Sequence, residues 1–173
     1  MNSGDQPLPY NAEVEKALLG ACLLYGNSTF QKVKERITNH EMFYMNSHRI
    51  IYKAMLAVYK DANVETISVV DELIRKNLLD EAGGAGYVAQ LSGDMATNAN
   101  VDYHADIIEE DFHRRMLIDV FREGYERLYD RNEDIYAMVN SIAKMELDSS
   151  SSNNASFVSD DVSDIAKEIQ TNY

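Results

Sequence analysis

The chain has 173 residues, enough for one generous domain or a compact head with appendages, and a globule of that size buries roughly two-thirds of its unfolded surface without help from a metal or a disulfide. Against 16 Lys and Arg stand 29 Asp and Glu, a formal net charge of −13. That sign argues against direct binding to nucleic acid or to an anionic membrane, since both take much of their affinity from Lys and Arg.

Hydrophobic residues make up 45%, which is ordinary for a globular protein. Both prolines precede the first helical pattern, and the 8 Met residues suit helical packing surfaces. Cys22 is alone, so no internal disulfide can form, and its leucine neighbours mark it as a buried thiol in a reducing cytoplasm. The opening MNSGDQPLPYN has neither the basic nor the apolar region of a signal peptide, and the greasy run Ala17–Tyr25 is too short to span a bilayer. A cytoplasmic location is expected.

In chain order, Asn11 is a good N-cap, with Glu13 and Glu15 near the positive end of the helix it opens. Val14, Ala17, Leu18, Ala21 and Leu24 mark that helix, and Gly26-Asn27-Ser28 stops it. Gly20 inside it costs about 1 kcal/mol of propensity and suits close approach of another helix. A short helix over Phe30–Ile37 follows.

The stretch Ser47–Lys60 places Ile50, Ile51, Ala54, Met55 and Val58 on one broad face, with Leu56, Ala57 and Tyr59 adding apolar area beside it. A helix greasy over so much of its circumference is central, covered by several others. Val64–Ile67 reads as extended. Ser68-Val69-Val70-Asp71 then resembles a capping box opening a helix to Lys76, with Val69, Val70, Leu73 and Ile74 inward. Gly83-Gly84-Ala85-Gly86 follows no strand, and no Lys in the chain precedes Ser or Thr, so these glycines form a turn into a helix over Tyr87–Leu91, not a phosphate cradle.

Val101–Tyr129 is the longest helical pattern, stepped by Ile107, Ile108, Phe112, Met116, Leu117, Val120, Phe121, Tyr125 and Leu128. At about 1.5 Å per residue it is roughly 43 Å long, so its distal half is expected to project from the head. Asp130–Glu133 turns the chain into a second arm, Asp134–Leu147, striped by Ile135, Met138, Val139, Ile142 and Met145. A two-helix hairpin is a poor core by itself, so its apolar side chains predict a second chain against it. The run DSSSSNNAS is a flexible linker. Beyond it Asp160–Gln170 is a short amphipathic helix, with Val162, Ile165, Ala166 and Ile169 on the face that must dock elsewhere.

These elements predict an all-α fold: a compact helical head over residues 1–97, a long antiparallel two-helix hairpin over 98–147, a Ser/Asn linker over 148–159 and a linker helix over 160–173. Phe112, Met116, Val120, Phe121, Met138 and Ile142 are the candidate interface residues of the hairpin. Glu110-x-x-His113 has the spacing of half a di-metal site, but no second copy exists and its acidic neighbours read as a solvated face. His48, beside Arg49 at a helix start, has no nucleophile or oxyanion arrangement near it in the pattern and reads as part of a structural hydrogen-bond network. No catalytic, cofactor or metal residue is assigned.

The order of these signals resembles the N-terminal region of a DnaB-type replicative DNA helicase. The opening Pro9-Tyr10-Asn11-Ala12-Glu13-Val14-Glu15-Lys16-Ala17-Leu18-Leu19-Gly20 resembles that family's Pro, Asn, two glutamates and Leu-Gly. Phe43-Tyr44, His48-Arg49-Ile50-Ile51, Ala54-Met55, Val69 to Leu73, Gly83-Gly84 with Tyr87, Asn100-Val101 with Tyr103, Arg115 and Leu117-Ile118 continue it, over roughly Pro9 to Met145. The resemblance implies a head and hairpin that pair through their hairpins into a collar, a trimer of dimers on a hexameric motor ring. It also implies a linker helix packed on a neighbouring RecA-like domain, a C-terminal domain binding ATP and Mg and gripping DNA, and primase and a helicase loader as partners. The expected function is oligomerisation and partner docking, with no catalysis by this chain itself. Two rivals are a free-standing collar-like binding protein, such as a loader or inhibitor, and a helical di-metal enzyme using Glu110 and His113.

Overall fold

A computed structural model describes residues 6–93, 100–130, 132, 134, 136, 137 and 140. Among them are six α-helices and no strand: α1 Ala12–Tyr25, α2 Asn27–Arg36, α3 Asn46–Val58, α4 Thr66–Arg75, α5 Gly84–Gly93 and α6 Val101–Arg127, with a single 3₁₀ turn at His40–Met42. Contacts divide the chain between Arg115 and Met116, so α6 begins in one compact unit and ends in another.

In the first unit Asn11 caps α1 as expected, its side chain accepting from the Val14 N–H. The buried face of α1 runs through Glu15, Leu18, Leu19 and Cys22. Leu24, counted among the apolar positions of this helix, is 47% exposed. α1 packs against α5, α2 and α3, while α4 closes on α3 and α5. α3, expected to be central, packs on α4, α1 and the 3₁₀ turn and shares the middle of the head with α1. Ile51, Ala54, Met55 and Val58 are buried, and Tyr52 is buried with them because its hydroxyl donates to the Ile37 carbonyl at 2.5 Å. Phe30 and Phe43 flank the Tyr52 ring.

Several boundaries differ from the sequence pattern. α2 starts at Asn27, not Phe30, because one residue in left-handed backbone, Gly26 at φ 69°, is enough to end α1 and start α2. A Cβ on Gly26 would meet Asn63 Oδ1 at 2.8 Å. Across that corner the Asn27 side chain binds the Val64 N–H and the Ala62 carbonyl. α4 starts at Thr66, so the supposed capping box at Ser68 lies inside the helix, where Ser68 Oγ reaches only Glu65 Oε1 at 3.4 Å. Extended backbone ends at Glu65, after the buried Val64. Val69 and Leu73 face inward as expected, but Ile74 is 54% exposed.

Gly83 and Gly84, both at positive φ, turn the chain into α5, but that helix starts at Gly84 and not at Tyr87, so Ala85 and Gly86 of the expected turn are helical. Burial raises the pKa of the Cys22 thiol far above its ordinary value, which fits an inert core cysteine. Among the described residues no helix is long and apolar enough to cross a membrane.

Candidate assembly surface and the polar centre of the head

The head is centred on a buried polar chain. Glu15, 2% exposed on α1, accepts from the backbone N–H groups of Tyr44 at 2.6 Å and Met45 at 3.3 Å. Its Oε2 also lies 2.6 Å from His48 Nδ1, and His48 Nε2 lies 2.6 Å from the Tyr87 hydroxyl. His48 bridges Glu15 and the Tyr87 hydroxyl through its two ring nitrogens, so each of these buried polar groups has a partner. Burial raises the Tyr87 pKa above the ordinary phenol value. The chain pins α1, the start of α3 and α5 at one point. This places His48 in the structural network the sequence suggested. Gly83 makes room for it, since a Cβ there would stand 2.9 Å from Tyr87 Cδ1.

A second buried charge fixes α6 to the head. Val101, Ala105, Ile108, Phe112 and Arg115 recur along α6 at the spacing of one helical face, and all are buried or half-buried. Arg115 is 7% exposed. Its guanidinium donates to the Pro9 carbonyl at 2.9 Å and the Met42 carbonyl at 2.6 Å, and it lies 5.6 Å from the Tyr44 ring and 5.8 Å from the Phe112 ring. Tyr10 stacks on Tyr44 at 4.2 Å, so one arginine gathers the leader, the 3₁₀ turn and α6. Desolvation lowers the Arg115 pKa, against the attraction of Glu15 and Asp111.

Past Arg115 the same helical face becomes polar. Its next positions are Asp119 and Arg122, exposed and ion-paired at 3.2 Å. The apolar residues move round the helix to Met116, Leu117, Phe121, Tyr125 and Leu128, all between 44% and 61% exposed. Tyr129 joins them, its hydroxyl 2.7 Å from that of Tyr125. Residues this apolar and this open on a single helix need cover. Asp134 accepts from the N–H groups of Tyr136 and Ala137 at 2.9 and 3.1 Å, the hydrogen bonds of an N-cap, where the second arm was expected to start.

The candidate interface residues therefore separate. Met116 and Phe121 are exposed and Val120 is half-buried, all in the second unit. Phe112 belongs to the head and packs half-buried against its core. Met138 and Ile142, and the linker-helix positions Val162, Ile165, Ala166 and Ile169, lie outside the described residues. Sequence reasoning missed Glu15 as a buried centre. The signal was there: Glu15, Leu18, Leu19 and Cys22 share one helical face. Glu110 pairs with Arg114, and among the described residues no three His, Cys, Asp or Glu side chains could hold a metal together.

The fold is that of an all-α helical domain, and its longest helix bears open apolar side chains past Arg115. The chain belongs to the family of the DnaB-like helicase N terminal domain, whose sequence model matches residues 7–110. It is 34% identical over 136 residues to the replicative DNA helicase DnaC of Bacillus subtilis, covering 76% of this chain and 29% of that protein. It is also 33% identical over 135 residues to the replicative DNA helicase DnaB of Rhodothermus marinus, covering 78% of this chain and 14% of that one. The chain thus spans less than a third of these relatives' length. The crystal structure of the N-terminal domain of DnaB helicase from Mycobacterium tuberculosis superposes with a TM-score of 0.71 at 29% identity, covering 79% of this chain and 94% of that one. A DnaB-like replicative helicase described with its interactions with primase shares the fold, with a TM-score of 0.63 at 22% identity over 93% of this chain and 36% of that one.

Proposed function

We propose that this chain is the assembly and partner-docking part of a replicative helicase, and that it does its work by self-association and by holding other proteins, not by catalysis. The observation that carries this is the open apolar row Met116, Leu117, Phe121 and Tyr125 on α6, continued by Leu128 just past its end, in a chain of this family. In this reading Met116, Val120 and Phe121, with Met138 and Ile142 of the second arm, pair two copies, and three such pairs form a collar in a hexamer. Primase and a helicase loader dock on that collar. The segment with Val162, Ile165, Ala166 and Ile169 joins it to a motor domain that binds ATP and Mg, in a cytoplasmic DNA-replication machine.

The net charge of −13 supports a collar that handles proteins in preference to phosphates. Two assays test the reading. The purified chain should turn over no ATP, and the gene read past Tyr173 should encode a domain containing a GKT or GKS motif. ATP turnover by this chain, or a gene that stops without such a domain, would overturn it.

A further inference from the structure

The sequence gathers much of its positive charge in one part of the head. Residues 27–60 hold Lys32, Lys34, Arg36, Arg49, Lys53 and Lys60 against Glu35 and Glu41, within a chain of net charge −13. Carboxylates outnumber cations in this chain, and several cations pair with one. Lys16 pairs with Glu13, Arg36 with Asp106, Arg49 with Glu41, Arg75 with Glu72, Arg114 with Glu110 and Arg122 with Asp119. Lys34, Lys53 and Lys60 are exposed and have no ion-pair partner among the described residues, a state they share with Lys32 and Lys76.

Three of these lysines frame an apolar strip. At roughly 100° per residue, Arg49, Lys53, Leu56 and Lys60 fall on one side of α3 and the turn that ends it. Leu56 and Tyr59 are half-buried, their inner sides packed on the core. From α2, Lys34 Nζ stands 4.9 Å from the centre of the Tyr59 ring, and Phe30 supports that ring from within at 5.2 Å. Lysines of two helices thus border Leu56 and Tyr59, with Glu35 and Asp61 as their acidic sequence neighbours.

We propose that this α2–α3 surface docks an acidic amphipathic helix of a partner protein, its apolar side chains on Leu56 and Tyr59 and its carboxylates on Lys34, Lys53 and Lys60. Charge complementarity selects that occupant. A nucleic-acid strand would also meet the lysines, but it would approach a strongly anionic chain and leave the apolar strip unused. The same surface on a second copy would set lysine against lysine. An acidic helix uses both the charge and the apolar area. The α2–α3 surface shares no residue with the apolar row on α6, so it can fail while the assembly reading stands, and the reverse.

The test is fluorescence anisotropy with the whole chain and a labelled peptide of about 16 residues, with leucines at helical spacing flanked by glutamates. Saturable binding is expected. It should weaken at least about tenfold in a Lys53→Glu/Lys60→Glu variant and stay unchanged in Lys76→Glu, which lies on α4's C-terminal end. Replacing the peptide leucines by serines should weaken it similarly, which separates docking from plain charge attraction. Circular dichroism checks the fold, and Lys53→Gln/Lys60→Gln gives a milder version of the same loss if the double reversal unfolds. Absence of saturable binding, equal binding by the Gln pair, or an oligothymidylate that outcompetes the peptide would each overturn the proposal.

Discussion

α6 is one helix with two different lives. From Val101 to Arg115 its apolar face is buried, and the last residue of that face is a caged arginine. From Met116 onward the apolar residues are as large, yet Phe121, Tyr125 and Leu128 are more than half exposed. What changes is the face on which the apolar residues lie, because the positions after Arg115 in the head-side register are Asp119 and Arg122. The difference shows how one helix can complete a core that is finished within the chain and then present a surface that is not.

The comparison breaks most severely if the head's polar centre is removed. Glu15→Ala takes the acceptor from buried His48 and from the Tyr44 and Met45 N–H groups, and should cost about 3–5 kcal/mol in urea unfolding. Substitutions confined to the second unit should cost the fold far less. Arg115→Met tests where the two lives of α6 divide. It keeps much of the volume but loses two charged hydrogen bonds, for about 3 kcal/mol, and hydrogen exchange should rise around Pro9 and Met42 before it rises in α3. Gly83→Ala is smaller, about 1–2 kcal/mol, from a positive φ of 96° and the Tyr87 ring in its way.

The smallest effect is a pH dependence at the start of α6. Nδ1 of His104 is buried without a partner among the described residues, and desolvation lowers the pKa of the ring. The folded state therefore favours neutral His104. Its stability is complete above the ordinary histidine range and declines as pH falls through it, because the unfolded chain takes up the proton first. A melting series from about pH 8 to pH 5 should show a shallower decline for His104→Gln than for the parent chain. Parallel curves would remove His104 from the account.

Much of this was legible in the sequence because it rests on period and punctuation. The α3 face, the Asn11 cap, the Gly83-Gly84 turn and the length of α6 all follow from local chemistry. Less was legible where distant groups converge. Glu13 and Glu15 look alike as acids near a helix start, yet one pairs with Lys16 at the surface and the other is buried. Only the fold brings the 44–48 segment to Glu15, although its phase with Leu18 and Cys22 hinted at the inward side. The start of α4 differs from the pattern because β-branched Val64, Thr66 and Ile67 suggest strand, whereas Val69 and Leu73 are the inward pair of a helix. The site followed the same rule. The greasy residues of α6 could be named from spacing, but Phe112 and Phe121 share a pattern and differ in exposure.

The most direct measurement is sedimentation equilibrium of the parent chain beside Met116→Asp and Phe121→Asp, each checked by circular dichroism. The account predicts a dimer or larger assembly for the parent chain, a loss of at least about tenfold in association for each variant, and an unchanged helical signal. A parent chain that stays monomeric from dilute to concentrated solution, with α6 equally indifferent to both aspartates, would contradict it.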